Sequence, residues 1–255
     1  QDCLISKSKL GLRYYGIYKD AMKEQMEHTI SKSGKIDGAL IKSLVAEYGS
    51  PLFVVSEQTI EDRVREIEVA FSKLYPNSKV FYSVKTNYLP GILSLIKQRG
   101  GAVEVVSGFE YWLAKKAGCK GTEIIFNGPH KSDNEIKEAI ADGALIHIDN
   151  RDELERVAEI ARKSSNQTVV GVRVNTDVTK PPFRGGNALF DRFPNKGWWR
   201  FGFNIESGEA YTIAQEITRQ FPHLDLKSIH IHLGTHIKEP DFYFYAAEKM
   251  FEFVG

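Results

Sequence analysis

The stretch that decides the fold is "AVEVVSGFEYWLAKKAGCKGTEIIFNGPHKSDNEIKEAIADGALIHI" (102–148), in which short apolar runs alternate with segments of helical periodicity. The runs AVEVV (102–106), EIIFN (123–127) and ALIHI (144–148) are rich in β-branched residues and are typical of buried strands. Strands that alternate with helices are the signature of parallel βα units. This stretch therefore predicts an α/β protein with a parallel sheet.

The alternation of strand and helix continues on both sides of this stretch. Further runs that are typical of strands lie at PLFVV (51–55), KVFYSV (79–84), TVVGVRV (168–174) and SIHIHL (228–233). Helix starts and ends are marked by residues that cap helices, namely Pro90, Gly118, Gly143 and the pairs Ser107–Glu110 and Ser132–Glu135. Capping residues thus separate the predicted strands from the predicted helices, and each helix can connect two parallel strands.

The ends of successive strands are almost evenly spaced in the sequence. They follow one another at intervals of 22, 20 and 22 residues, at Lys85, Ser107, Asn127 and Asp149. Even spacing favours a closed (β/α)8 barrel of the TIM type over an open sheet. Counted from VFYSV (80–84), the sequence provides six barrel strands. We therefore expect an incomplete barrel that is part of a longer protein.

Two segments fall outside this repeat. Residues 1–47 begin without Met and are at first polar and lysine-rich, so we expect an extension with one weak amphipathic helix between Asp20 and Ile30. The segment 176–206 is a long loop rich in Pro, Gly and aromatic residues. Loops of this length in a compact domain are usually functional or disordered, so this one is expected to shape a pocket or to lie on the surface.

The composition is that of an ordinary globular protein. Hydrophobic residues make up 42% and charged residues 26%, and the formal net charge is +1. Neither nucleic acid nor a membrane surface is expected as a partner at this charge. Cys3 and Cys119 are the two cysteines, which favours a reducing, cytoplasmic location over a disulfide framework. No run of about eighteen apolar residues predicts a membrane span.

Polar residues collect at the carboxyl ends of the predicted strands, which form the active-site face of a barrel. They are Lys85, Thr86, Asn87, Glu104, Ser107, Asn127, His147, Asp149, Arg173, Asn175, His230, His232, Gly234, Thr235 and His236. On the last strand, alternation places His230, His232 and Gly234 on one face and the apolar residues on the other. Packing alone does not explain so many polar groups at one end of the sheet, so we predict a pocket there.

Several of these residues admit more than one interpretation. The Lys85 amine extends into water, pairs with an acidic neighbour, or acts as a nucleophile that forms an imine with a carbonyl compound. Ser107 is expected mainly as a helix cap, and Glu104 and Arg173 either contact a ligand or pair with each other. The H-x-H pair also suits a metal ion, but no further ligand pattern supports one, and no metal site is predicted.

Six stretches resemble the fold-type III pyridoxal-phosphate decarboxylases, the group of diaminopimelate, ornithine and arginine decarboxylases, with the diaminopimelate decarboxylases nearest. They are YSVKTN (82–87), VEVVSGFEYWLAKKAG (103–118), IIFNGPHKSDNEIKEAI (124–140), RVN (173–175), FGF (201–203) and HIHLGTHI (230–237). The resemblance runs from about Tyr48 to the end of the chain. It implies an alanine-racemase-like barrel, pyridoxal 5′-phosphate as the cofactor, and decarboxylation of a basic or diamino acid.

The resemblance also implies a role for each matching residue. Lys85 falls on the catalytic lysine, which forms an imine with the cofactor, and His232 falls on the histidine that stacks against the cofactor ring. The other implied cofactor-binding residues are Glu104, where many members have aspartate, Arg173, Gly234, and Thr235, which replaces the usual serine of the phosphate site.

The family pattern further implies domains and partners. An N-terminal extension (1–47), a strand given to a second β-rich domain (48–56) and a partial barrel (57–255) are expected, with a small amino-acid substrate and a homodimer that shares its active sites. The glycine-rich phosphate loop, the acid facing the pyridine nitrogen and the C-terminal Cys and Tyr of the family would follow Gly255. We therefore expect the chain alone to bind the cofactor weakly and to be inactive.

Two rival functions stay open at this level. A racemase or dehydratase of the same cofactor group would use the same lysine, although H-x-H-x-G together with VEVVSG favours a decarboxylase. A catalytically inactive homologue would act by binding a true enzyme. The presence of Lys85 and His232 opposes that second alternative, and the departures at Glu104 and Thr235 favour it slightly.

Overall fold

The computed structural model of the protein describes residues 4–6, 34–164, 167–176, 200–234 and 241–255. These residues form two compact units, which divide in the sequence between Val80 and Phe81. Three predicted features lie wholly or mostly outside the described residues, namely the helix at 20–30, the loop at 176–206, and Thr235. The predicted domain assignment of 1–47, 48–56 and 57–255 stays a prediction.

The described residues of the first unit form two small antiparallel sheets and two helices. Its elements are β1 (Leu4–Ser6), β2 (Lys35–Ile36), β3 (Ala39–Leu40), α1 (Ile41–Tyr48), β4 (Phe53–Val55) and α2 (Glu57–Ser72). β1 pairs with β4, which confirms a strand within PLFVV, and β2 pairs with β3. Asp37 and Gly38 make the hairpin turn with φ of 48° and 82°, a conformation that Asp and Gly adopt readily.

The second unit repeats strand and helix. Its strands are β5 (Phe81–Ser83), β6 (Ala102–Val105), β7 (Ile124–Phe126), β8 (Leu145–Ile148), β9 (Thr168–Asn175), β10 (Phe203–Asn204) and β11 (Leu224–Ile231). Its helices are α3 (Pro90–Gln98), α4 (Gly108–Lys116), α5 (Asp133–Asp142), α6 (Arg151–Ala161), α7 (Glu209–Gln220) and α8 (Asp241–Val254). A 3₁₀ helix at Val84–Thr86 follows β5, and another at Gly121–Glu123 precedes β7.

The main strands form one parallel sheet in sequential order. β5, β6, β7, β8, β9 and β11 pair in that order, and the short β10 pairs with the end of β9. Sequential parallel strands joined by helices are the arrangement of a TIM-type barrel. The predicted α/β class and the six predicted barrel strands are therefore confirmed. Among the described strands, β5 and β11 each pair with one neighbour, so the sheet they form is open.

Alternating side chains divide the sheet into an apolar face and a polar face. On β8 and β9, the apolar residues Ile146, Ile148, Val170 and Val172 are fully buried, as are apolar residues of α6 such as Leu154. Full burial of such a side chain is worth about 1.5–3 kcal/mol. The intervening residues of the same strands point to the opposite face. That opposite face carries the polar residues from which a site can be built.

The predicted helix boundaries agree with the structure. Ser132 and Glu135 form a reciprocal capping box at the start of α5, and Gly143 ends that helix with φ of 74°. Ser107 accepts a hydrogen bond from the Glu110 N–H at 3.3 Å, which confirms its role as a helix cap. Pro90 is the first residue of α3. These local signals fix where each strand end gives way to a helix.

Two details differ from the sequence prediction. β5 ends at Ser83, so Lys85 lies in the 3₁₀ turn beyond the strand. β11 begins at Leu224, before the predicted start, and ends at Ile231, so His232 follows the strand. The shift in β11 moves His232 from the predicted strand into the segment after it, whereas Lys85 was already predicted to follow its strand. Among the described residues, no helix is both long and apolar enough to cross a lipid bilayer.

Candidate functional site

The candidate site begins with Lys85, at the carboxyl end of β5. Lys85 is exposed, and no described residue accepts a hydrogen bond or forms an ion pair with its amine. Among the described residues, the interpretation in which Lys85 pairs with an acidic neighbour is therefore wrong. The amine is accessible to a small molecule.

Glu104 and Arg173 lie on the same polar face but bind different partners. Both Glu104 carboxylate oxygens accept hydrogen bonds, one from the Ser83 hydroxyl and one from the Asn127 side-chain amide at 2.9 Å. The Arg173 guanidinium pairs with Asp149 at 2.6 Å, and both side chains are largely buried. Within the described part of the chain, the alternative of a Glu104–Arg173 ion pair is therefore wrong. The Glu104 carboxylate and the Arg173 guanidinium each bind other residues of the sheet.

Arg173 is held on a second side by an aromatic ring. Its guanidinium lies 5.0 Å from the centroid of the Phe201 ring, within the distance of a cation–π contact. Asn175 donates hydrogen bonds to the carbonyl oxygens of Phe201 and Gly202 at 3.0 and 2.9 Å, and this fixes the FGF segment at the end of β9. The guanidinium is thus a fixed positive charge in the site.

His232 is half-buried beside the charged groups of the site. Burial lowers the pKa of its imidazole, the cations of Lys85 and Arg173 lower it further, and Glu104 partly opposes them. The charges of Lys85, Arg173 and Glu104 therefore all act on the His232 imidazole. The structure thus brings together four of the predicted site residues, Lys85, Glu104, Arg173 and His232. A neutral, flat imidazole suits a contact with another flat ring.

The rings of His147, which is buried, and His230, which is half-buried, are stacked on each other. Their ring centroids lie 5.1 Å apart and the rings are parallel to within 1°. Burial lowers the pKa of His147 to about 3, with Lys131 and Arg173 as further causes. Burial also lowers the pKa of His230 to about 2, with the proximity of His147 and the charge of Arg173 as further causes. Both imidazoles are therefore neutral, and among the described residues Nδ1 of His230 has no hydrogen-bond partner.

Acidification below about pH 6.5 is expected to destabilise the chain through this pair. Histidine in the unfolded chain gains a proton near its ordinary pKa of 6.5, whereas the folded His147 and His230 do so only near pH 3 and 2. The stability that the two neutral histidines contribute to the folded chain is therefore present above pH 6.5, and it is lost as the pH falls. Each histidine lowers the free energy of unfolding by about 1 kcal/mol per pH unit.

Urea unfolding at about pH 7, 6 and 5 measures this slope, in a range above most carboxyl pKa values. The His147→Asn variant, which retains His230, is expected to have a slope that is smaller by about 1 kcal/mol per pH unit. An equal slope in the variant and the unmodified chain would contradict the assignment.

A buried ion pair that no sequence pattern predicts lies behind β8, between Lys131 and Glu153. Both side chains are fully buried, with Nζ 3.0 Å from a Glu153 oxygen. The Lys131 amine also donates to the carbonyl oxygens of Gly128 and His147 at 3.0 and 2.9 Å. Glu153 accepts the Asp149 N–H at 2.9 Å. The pair therefore braces the strand end from which His147 and Asp149 extend.

The remaining candidates have simpler outcomes. Gly234 has φ of 124° and an open space where a side chain would lie, so its backbone can approach a ligand closely. Thr235 and His236 lie outside the described residues. In the described part of the chain, no cluster of three or more His, Cys, Asp or Glu residues has the geometry of a metal site.

An accessible lysine, a neutral histidine and a fixed arginine lie at or just after the carboxyl ends of parallel strands, an arrangement that suits a small carbonyl compound. Comparison with known proteins makes the class specific. The chain belongs to the pyridoxal-dependent decarboxylases, because the family model of their pyridoxal-binding domain matches residues 57–255. The predicted resemblance and the predicted cofactor, pyridoxal phosphate, are confirmed.

Individual relatives agree with the family. Diaminopimelate decarboxylase of Aquifex aeolicus is 30% identical over 238 residues, which are 91% of this chain and 53% of that protein. The enzyme of Methanothermobacter thermautotrophicus is 28% identical over 221 residues, 86% of this chain and 48% of that protein. A crystal structure of diaminopimelate decarboxylase from M. jannaschii matches with a TM-score of 0.75 and 25% identity, covering 89% of this chain and 52% of that one. The chain thus spans about half the length of the curated relatives it matches.

The residues present fit pyridoxal phosphate. The cofactor carries an aldehyde, a flat pyridine ring and a phosphate. The exposed Lys85 amine, which has no hydrogen bond to any described residue, suits the aldehyde, and the neutral face of His232 suits the ring. The open backbone of Gly234 allows close approach of an anion. The described residues therefore supply an amine, a ring contact and one edge of a phosphate site.

Proposed function

We propose that the protein is the pyridoxal-binding part of an amino-acid decarboxylase whose cofactor is carried by Lys85. The observation that carries this proposal is the accessible Lys85 amine, which shares one polar sheet face with His232 in a chain of this family. Lys85 would hold the cofactor through its aldehyde, with loss of one water molecule.

The other residues of the site would hold and orient the cofactor that Lys85 carries. His232 presents a neutral imidazole face, because burial and the nearby cations keep its pKa low. Arg173, fixed by Asp149 and Phe201, provides positive charge for a carboxylate or phosphate oxygen. Gly234 and Thr235 are proposed for the phosphate. When bound, the cofactor supplies an electron sink for the bond that releases CO2.

The substrate proposed for the whole protein is diaminopimelate. The support is that the curated relatives described above are named diaminopimelate decarboxylases and share 28–30% identity with the chain. Release of CO2 from one end of that diamino acid forms lysine, which would place the protein in lysine biosynthesis. A homodimer with shared active sites and a cytoplasmic location remain proposals of the same kind.

Substrate selectivity tests the proposal. The whole protein, loaded with pyridoxal phosphate, is expected to release CO2 from diaminopimelate at least about tenfold faster, as kcat/KM, than from ornithine, arginine or lysine. Inversion of an α-carbon without CO2 release would instead support a racemase. Cofactor binding without any reaction would support an inactive homologue. Either result would overturn the proposed reaction.

A further inference from the structure

Five polar side chains form a continuous hydrogen-bonded chain across the polar face of the sheet. In spatial order they are Ser83, Glu104, Asn127, His147 and Ser228, from or beside β5, β6, β7, β8 and β11. Asn127 Nδ2 lies 2.9 Å from Glu104 Oε1, and His147 Nε2 lies 2.8 Å from Ser228 Oγ. A hydrogen-bonded chain of this length fixes the orientation of each member. This set is called the cross-sheet network below.

Elementary hydrogen-bond chemistry gives the cross-sheet network a direction. A carboxylate only accepts, so the Ser83 hydroxyl and the Asn127 amide both donate to Glu104. The amide oxygen of Asn127 must then accept from His147 Nδ1–H. His147 is neutral because its pKa is lowered to about 3, so its Nε2 accepts from the Ser228 hydroxyl. One tautomer of His147, with the proton on Nδ1, satisfies every member.

Gly171 makes the cross-sheet network possible. It lies on β9 between His147 and Ser228, and it is aligned with both in the strand register. A Cβ at this position would lie 2.2 Å from His147 Cδ2 and 2.8 Å from Ser228 Cβ. Only glycine therefore leaves space for the imidazole to reach across β9 to the next strand.

The cross-sheet network controls which partner Glu104 can bind. Glu104 is aligned with Ser83, two residues before Lys85, and the charges of Glu104 and Lys85 both act on His232 and on Glu110. This register places a carboxylate and an amine at the ends of neighbouring strands, where their opposite charges favour an ion pair. Here the hydrogen bonds from Ser83 and Asn127, one to each carboxylate oxygen, fix the orientation of Glu104, and among the described residues the Lys85 amine has no partner.

We propose that Asn127 and His147 are positioning residues that hold the Glu104 carboxylate away from Lys85 and so keep the lysine amine available for reaction. His147 acts through Asn127, because it fixes the amide with its oxygen toward β8 and its nitrogen toward Glu104. This inference rests on the proposed function only for the role given to Lys85. The cross-sheet network itself is a property of the chain without cofactor.

Competitive acetylation of the chain tests the proposal without the cofactor. With trace acetic anhydride, a neutral lysine amine forms an amide and releases acetate and a proton, and mass spectrometry gives the reactivity of each lysine. The exposed Lys137 on α5 is the internal reference. Asn127→Ala frees Glu104 to pair with Lys85, and this is expected to lower the relative reactivity of Lys85 about tenfold near neutral pH, because the ion pair favours the charged amine, which does not react.

Two further variants separate this effect from general damage. Asn127→Ala combined with Glu104→Gln is expected to restore Lys85 reactivity to within about twofold, because the neutral amide cannot form the ion pair. Asn134→Ala, at an exposed position of α5 outside the cross-sheet network, is the matched control and is expected to leave Lys85 reactivity unchanged. No loss in Asn127→Ala, or a loss that Glu104→Gln does not reverse, would overturn the proposal.

A measurement on the unmodified chain covers the case in which Asn127→Ala does not fold. Long-range ¹H–¹⁵N NMR, with assignment by the spectrum of His147→Phe, is expected to show His147 as the neutral Nδ1–H tautomer at about pH 6. An Nε2–H tautomer or a charged imidazole would reverse the direction of the cross-sheet network and overturn the proposal. Failure of the whole protein to bind pyridoxal phosphate would contradict the proposed function. The acetylation of Lys85 and the tautomer of His147 would still decide whether the cross-sheet network positions Glu104.

Discussion

Replacement of Lys85 by alanine is expected to abolish covalent binding of pyridoxal phosphate and to reduce decarboxylation by the whole protein on the order of 10³-fold or more. The reason is that Lys85 carries an accessible amine just after the end of β5, and the charge of this amine acts on His232. Absorbance of the loaded protein in the near ultraviolet and visible range measures cofactor binding, and CO2 release measures activity.

Lys137→Ala is the matched control for this substitution. Lys137 is also exposed and belongs to the same unit, but it lies on helix α5, away from the strand ends. Its removal is expected to change neither the spectrum nor the rate. If Lys85→Ala kept the spectrum and most of the activity of the unmodified protein, Lys85 would not be the residue that carries the cofactor.

Replacement of Lys131 by methionine is expected to lower the free energy of unfolding by about 3–5 kcal/mol. The substitution removes the amine from a fully buried pair and leaves the Glu153 carboxylate without its cation. It also leaves the carbonyl oxygens of Gly128 and His147 without a donor. Urea unfolding of the chain, followed by circular dichroism, measures the change.

An exposed ion pair in the same unit provides the control for Lys131. Lys163 and Glu159 lie one turn apart on the surface with Nζ 2.8 Å from the carboxylate, and Lys163→Met is expected to cost less than about 1 kcal/mol. The double variant Lys131→Met with Glu153→Leu is expected to recover much of the loss, because no unpaired charge stays buried. Equal, small effects of Lys131→Met and Lys163→Met would contradict the assigned burial.

The sequence alone predicted the fold because its signals are local. The β-branched runs, the capping box at Ser132 and Glu135 and the glycine at 143 each act within a few residues, and the structure places them as expected. The predicted strand end at 233 was wrong, because β11 ends at Ile231 and His232 follows it. Strand ends depend on pairing with neighbouring strands, which no local pattern specifies.

The contacts of the site could be predicted only in part. Strand alternation identified the polar face of the sheet. The same alternation places Ser228 on one side of its strand with His230, so this pattern could have identified Ser228 as a member of that face. The partners of Glu104 and Arg173 depend on the register between strands, so Asn127 and Asp149 were named as pocket residues but not as those partners. Burial of Lys131 had no sequence signal, because lysine in a loop is usually exposed.

Mapping the lysine that carries pyridoxal phosphate tests the central claim most directly. Borohydride reduction of the loaded whole protein fixes the cofactor to its lysine as a stable amine, and mass spectrometry of the digested protein identifies the modified peptide. The expected result is a single modified residue, Lys85, in the segment YSVKTN (82–87). Modification at a different lysine, or at none, would contradict the proposal that the polar face of this sheet is a cofactor site built around Lys85.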